Sequence, residues 1–129
     1  MVKKLLALGG DGIGPEVLES GLKILETVSK GIKVNFDIDF DLIGGICWDK
    51  YGTFCRNITI QKAKEVDAIL VGAVGGPKWD AMKIKGDPVD QDGLMCLRKK
   101  LDTFFGIRPI KYYKSLHKII PFYRKNVQN

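Results

Sequence analysis

The sequence predicts an α/β fold built on a mostly parallel sheet, and three observations carry that prediction. Strand-like and helix-like segments alternate along most of the chain. A glycine turn, Gly9-Gly10-Asp11-Gly12-Ile13-Gly14, follows the first strand and opens directly into a helix. The third strand, Ala68–Val71, is wholly apolar, as parallel strands covered on both faces are.

The elements follow in order. Lys3–Leu8 reads as the first strand. Pro15 suits the first position of the next helix, and Glu16 is favourably placed near its N-terminus. Val17, Gly21, Leu22, Leu25 and Val28 keep helical spacing, so that helix should run to about Lys30. Lys33–Phe40 alternates Val34, Phe36, Ile38 and Phe40 with polar residues and marks a second strand. Residues 44–54 are expected to be loop, and Ile58–Glu65 a short helix before the third strand. Gly72–Asp92 is long, irregular and rich in glycine, the kind of connection that usually carries function. Gly93 to about Phe105 has helical periodicity, with Leu94, Leu97, Leu101 and Phe105 on one face. Gly106–Tyr113 is expected to be a fourth strand. Ligands of such sheets bind beyond the carboxyl ends of the strands, where both glycine loops should lie. The pattern divides the chain into an organised part, residues 1–113, and a divergent basic tail, residues 114–129.

Composition narrows the class. The 129 residues are 45% hydrophobic and 28% charged, ordinary values for a globular domain. No apolar run approaches the length of a membrane span. The apolar stretch after Lys3-Lys4 is too short for a signal peptide, so the cytoplasm is the expected compartment. Cys47, Cys55 and Cys96 are an odd number with no close pair in sequence, which argues against a disulfide framework or a zinc knuckle. A single histidine, His117, leaves no histidine-based metal site or triad. The net charge of +6 is uneven: residues 98–129 hold nine Lys or Arg against one acid, Asp102. That tail carries no recognisable nucleic-acid-binding motif. Lysines outnumber arginines seventeen to four, so each arginine marks a position where a planar, bidentate donor has a use.

Two of those arginines are candidate ligand groups. Arg98 follows Leu94 by four residues and shares its apolar face, a costly place for a charge unless an anion meets it. Arg108 lies just beyond, held extended by Pro109. Together they suit a ligand with carboxylates and an apolar branch; the plainer alternative is two arginines snorkelling at a domain edge. The first glycine loop fails the dinucleotide fingerprint, because Pro15 stands where its third glycine should be, and it fails the P-loop pattern too. After the third strand, Gly75 and Gly76 allow close backbone approach, Lys78 adds charge and Trp79 a stacking face. That loop could line a nucleotide or simply be surface.

Three motifs in fixed order make the sequence specific: Gly-Asp-Gly-Ile-Gly-Pro-Glu-Val (10–17), Gly-Ala-Val-Gly-Gly-Pro-Lys-Trp-Asp (72–80) and Gly-Leu-x-x-Leu-Arg-Lys…Phe-x-x-Arg-Pro (93–109). Over residues 2–113 the chain resembles the β-decarboxylating dehydrogenase family, which includes the isocitrate and isopropylmalate dehydrogenases, and within it the isopropylmalate type. The resemblance implies a distinctive α/β fold with a mostly parallel sheet, unlike a Rossmann domain, with the C-terminal part of that fold absent here. It implies NAD- or NADP-dependent oxidation of a 2-hydroxy acid followed by loss of carbon dioxide, assisted by magnesium or manganese, in a homodimer. For the isopropylmalate type the reaction converts (2R,3S)-3-isopropylmalate to 2-oxoisocaproate in leucine biosynthesis.

Carried over by motif, the resemblance implies that Arg98 and Arg108 bind the malate carboxylates and Leu94 the isopropyl branch. It implies NAD contacts in Gly75, Gly76, Pro77, Lys78, Trp79, Asp80 and Gln91. The chain departs from the family pattern at Gly9, at Ile46-Cys47-Trp48, at Gln91 and at Asp92. Positions for the third substrate arginine, the catalytic tyrosine and lysine, the metal-binding aspartates and the second NAD loop are not found in it. The expectation is therefore an N-terminal portion that is inactive alone. Alternatives are another dehydrogenase of the family, of isocitrate, homoisocitrate or tartrate type, or a non-catalytic protein binding through its basic tail.

Overall fold

A computed structural model describes residues 1–82 and 92–111, together with Tyr113 and Ser115. Three strands form its sheet: β1 (Val2–Gly10), β2 (Asn35–Asp41) and β3 (Ala68–Ala73). Their order is β2-β1-β3 and both pairings are parallel, with Leu8 opposite Asp41 on one side and Val71 on the other. Helix α1 (Gly14–Ile32) links β1 to β2, and α2 (Gly45–Tyr51) and α3 (Asn57–Lys64) link β2 to β3. Helix α4 (Pro77–Asp80) is a single turn after β3, and α5 (Gly93–Lys100) completes the described helices. The expected parallel α/β sheet is thus present. The divergent tail, beyond Ser115, and its His117 lie outside the described residues.

The central strand explains the layering. Leu5, Leu6, Ala7 and Leu8 are all buried, because alternate side chains enter opposite layers. Leu6 and Leu8 pack with Ile43, Ile60, Ala63, Cys96 and Leu97 on the α3 and α5 side. The other face meets α1, whose Leu18 is buried and whose Leu22 and Leu25 are half-buried. On the outer side of α1, Val17, Ile24, Val28 and Ile32 stand exposed.

Beyond the first strand the backbone contacts are too close for side chains. A Cβ on Gly72 would lie 2.2 Å from the Gly14 carbonyl oxygen and 2.4 Å from that of Gly9. The N-terminus of α1 therefore seats directly on β3, which explains the small residues in the first glycine turn.

The structure alters several expectations. Residues 45–51, expected to be loop, form α2. The signal is long-range, because a carboxylate thirty-four residues earlier meets the first N–H groups of that helix. Lys33 is not in β2; it ends α1 in a left-handed conformation. The last helix stops at Lys100, not near Phe105. Asp102 takes a positive φ of 55°, and the Thr103 N–H and hydroxyl both donate to the Arg98 carbonyl. This reversal brings Gly106 beside the Arg98 guanidinium, and residues 106–111 form no strand. Phe105 consequently leaves the apolar face and stands exposed. The cysteines, scattered in sequence, are all buried free thiols. Cys55 and Cys96 share the core, where burial foremost, with Cys96 beside it, pushes the Cys55 thiol up to about 12.

A second tie closes the fold near the end of β2. Asp41 accepts hydrogen bonds from the Thr59 hydroxyl at 2.8 Å and the Leu42 N–H at 2.8 Å, and pairs with Arg56. Arg56 lies over the Tyr51 ring at 4.2 Å. Burial by itself would raise the Asp41 carboxyl, but these donors outweigh it and hold it below its ordinary value.

Two outcomes follow from this packing. Gly72→Ala should destabilise the chain by about 1–3 kcal/mol, since the new methyl meets fixed backbone; chemical denaturation measures it. Because the folded carboxyl of Asp41 titrates below the unfolded value of about 3.9, its stabilisation is complete above about pH 4 and fades as the pH falls through the folded value. Asp41→Asn should therefore cost about 1–3 kcal/mol at neutral pH, with the gap to the unmodified chain narrowing in acid.

Candidate functional site

The ends of β1 and β3 lie side by side, so the two glycine loops meet as expected for a parallel sheet. Asp11 joins them. Its side chain is buried at 3% exposure. Its Oδ2 accepts from the Gly45 N–H and the Gly75 N–H, each at 2.8 Å, and its Oδ1 from the Ile46 N–H at 2.7 Å. Gly45 and Ile46 are the first residues of α2, where unpaired N–H groups and the helix dipole favour a carboxylate. Asp11 also donates its own N–H to the Ala73 carbonyl at 2.6 Å.

Beside this carboxylate lies a cavity of about 280 Å³. Gly75, Trp79 and Asp80 line one side, and Asp92 and Gly93 from the start of α5 line another. Phe54 and Val74 supply apolar wall. Gly93 lets α5 come this close: a Cβ there would lie 2.5 Å from the Phe54 carbonyl oxygen. Asp92 caps α5, accepting from Leu94 N–H at 2.9 Å and Met95 N–H at 3.1 Å. The structure thus brings together the expected cofactor loop and the start of the expected substrate helix.

The remaining candidates are distributed as follows. Gly76 precedes α4 and lies against the Trp79 ring. Pro77 starts α4. Lys78 is exposed, with its ammonium 2.6 Å from Asp49. The Trp79 indole N–H donates to the same carboxylate at 3.2 Å. The Lys78 bond and then the indole bond hold the Asp49 carboxyl below its ordinary value. Gln91 lies outside the described residues. On α5, Leu94 and Arg98 are half-buried and share a face one turn apart. Arg108 is exposed on the segment after the reversal, and no described contact joins it to Arg98. Among the described residues no group of three or more His, Cys, Asp or Glu could hold a metal ion, and no helix is long and apolar enough to cross a membrane.

Sequence reasoning quoted Asp11 only as part of a motif and passed over Asp49. An aspartate between glycines in a strand-to-helix turn reads as a cap for the helix that follows, but α1 has no side-chain cap and Asp11 serves the start of α2 instead, a role no local signal marks. Asp49 had no local signal either, because its partners are 29 and 30 residues away. Replacing Asp11 by asparagine would point an amide donor at backbone donors. Asp11→Asn should lose about 1–3 kcal/mol and speed hydrogen exchange at the Gly45, Ile46 and Gly75 amides, read by amide-resolved exchange.

Comparison with known proteins places this geometry. Residues 4–129 match the family model described as isocitrate/isopropylmalate dehydrogenase. The chain is 40% identical over 129 residues to the 3-isopropylmalate dehydrogenases of Lactococcus lactis and Bacillus subtilis, and 46% identical over 113 residues to that of Dehalococcoides mccartyi. It covers 36%, 35% and 30% of those three proteins, so it spans about a third of their length. Its fold matches a β-decarboxylating dehydrogenase from Thermococcus kodakarensis with a TM-score of 0.59 and 22% identity, over 78% of this chain and 27% of that one. An isocitrate dehydrogenase from Methylococcus capsulatus gives a TM-score of 0.55 and 21% identity, over 69% of this chain and 24% of that one. With its motifs in order, its parallel sheet and its two loops joined at one cavity, the chain belongs to the isocitrate/isopropylmalate dehydrogenase family.

Proposed function

We propose that this chain forms the N-terminal part of a 3-isopropylmalate dehydrogenase and supplies its substrate helix and its first cofactor loop. The observation that carries the reading is the cavity shared by the 72–80 loop and the start of α5. A dinucleotide on one wall would meet a hydroxy acid held by the other. Bound NAD would accept hydride from the substrate's hydroxyl-bearing carbon.

The residues suit such a ligand. Gly75 leaves open space beside its backbone: the nearest atom to an added Cβ is an Asp80 oxygen at 3.7 Å. Trp79, Asp80 and Gln91 would complete the cofactor contacts, with Gly76, Pro77 and Lys78 shaping the turn. Arg98 and Arg108 would bind the carboxylates through charge-assisted, bidentate hydrogen bonds. Leu94, one turn before Arg98, would meet the isopropyl group, where an apolar side chain favours a branched alkyl over a further carboxylate. A pair to accept and return protons is not assigned among the described residues, nor are ligands for magnesium or manganese. Inactivity of the chain on its own, the cytoplasm as its compartment and a homodimer as the working assembly belong to the same proposed reading.

The test is a transplant. Residues 1–113 replace the matching segment of the Bacillus subtilis relative, and NADH formation is followed spectrophotometrically. The chimera should oxidise 3-isopropylmalate, and Arg98→Ala within it should cost about 2–5 kcal/mol in kcat/KM, the usual loss when one partner of a desolvated charge pair is removed. A folded chimera that prefers isocitrate, or that is indifferent to Arg98→Ala, would contradict the assignment. So would NADH production by the isolated 129-residue chain.

A further inference from the structure

We propose that Asp49 is the positioning residue of the Gly75–Asp80 loop, holding that loop to α2 through Lys78 and Trp79. The proposal rests on reading the loop as a dinucleotide contact, and its test separates the two ideas.

Helix α4 is only four residues long, far too short to fix its own orientation. Two carboxylates fix it from outside. Asp11 takes the Gly75 N–H at 2.8 Å at one end. Asp49 takes the Lys78 ammonium at 2.6 Å and the Trp79 indole N–H at 3.2 Å at the other. Both anchors engage α2, one at its first turn and one within it.

An exposed ion pair alone would contribute little. Here the indole is also seated against Gly45, where an added Cβ would fall 2.0 Å from the ring. The Lys78 ammonium lies 5.2 Å above the same ring. The carboxylate therefore chooses among the orientations that the ring slot leaves open. A consequence concerns Lys78: its charge is already engaged by Asp49. What the loop then offers a dinucleotide is the open backbone at Gly75 and the Trp79 ring.

The experiment uses the 129-residue chain with Trp48→Phe, which leaves Trp79 as the one tryptophan, since the sequence contains two. Asp49→Asn should shift Trp79 emission to longer wavelength and raise its quenching by acrylamide. Asp49→Glu should restore most of both. An unchanged emission in a folded Asp49→Asn chain overturns the proposal. Where Asp49→Asn lowers the far-ultraviolet dichroism, Lys78→Gln breaks the clamp from the loop side. It must give the same red shift, and an unshifted spectrum overturns the proposal. Titration with NAD addresses the underlying reading. Quenching of Trp79 that weakens several-fold in Asp49→Asn and recovers in Asp49→Glu supports both ideas. A red shift in Asp49→Asn with no NAD response in any variant sustains the positioning role and overturns the cofactor reading alone.

Discussion

Asp11 holds three separately encoded pieces of backbone in one place. Its carboxylate sits beyond the carboxyl end of β1 and gathers N–H groups from the start of α2 and from the loop after β3. Those amides need an acceptor, because each belongs to a loop or helix start without a ladder partner. A buried carboxylate in turn needs donors to offset its lost hydration. Each side satisfies the other's requirement. Remove the carboxylate, and α2 loses its N-terminal partner while the loop after β3 loses its first anchor.

That arrangement is possible only because the surrounding backbone carries so little side chain. The carbonyls of Gly9 and Gly14 crowd Gly72, and a Cβ at Gly44 would lie 2.3 Å from the Asp11 carboxylate. The same economy continues outward. Gly45 leaves a slot for the Trp79 ring, and Gly93 lets α5 reach the Phe54 carbonyl. Glycines that serve as breaks between elements in the linear pattern are contact surfaces in the fold.

This also sets what was legible in the sequence. β2 announced itself by alternation and α1 by helical spacing, whereas β1 and β3 showed as short continuous apolar runs. Leu22 and Leu25 lie on the half-buried face of α1 that the spacing marked, but Val17 and Val28, read on the same face, are exposed, and Leu18, outside that reading, is the buried residue. The meeting of the two glycine loops followed from parallel topology. Helix α2 was hidden because its stabilising partner, Asp11, is thirty-four residues away, and its few apolar residues give no convincing period. The overlong reading of α5 arose because Leu101 and Phe105 continue a helical spacing that the left-handed Asp102 interrupts. Spacing records which faces could be apolar; it does not record where the backbone turns.

The charges around the cavity give the proposed site a direction. Asp11, Asp80 and Asp92 all line it. Asp92 in particular occupies the start of α5, so the positive end of that helix is already answered by a side chain of the protein. An anionic ligand gains nothing by pointing a carboxylate there. On the proposed reading, the malate carboxylates must turn along α5 toward Arg98, one turn past Leu94, leaving the apolar branch against Leu94 itself. Among the described residues the Arg98 side chain has no hydrogen-bond or ion-pair partner, whereas Lys78 is held by Asp49. On the proposed reading Arg98 is therefore available to a ligand, while Lys78 orients its own loop.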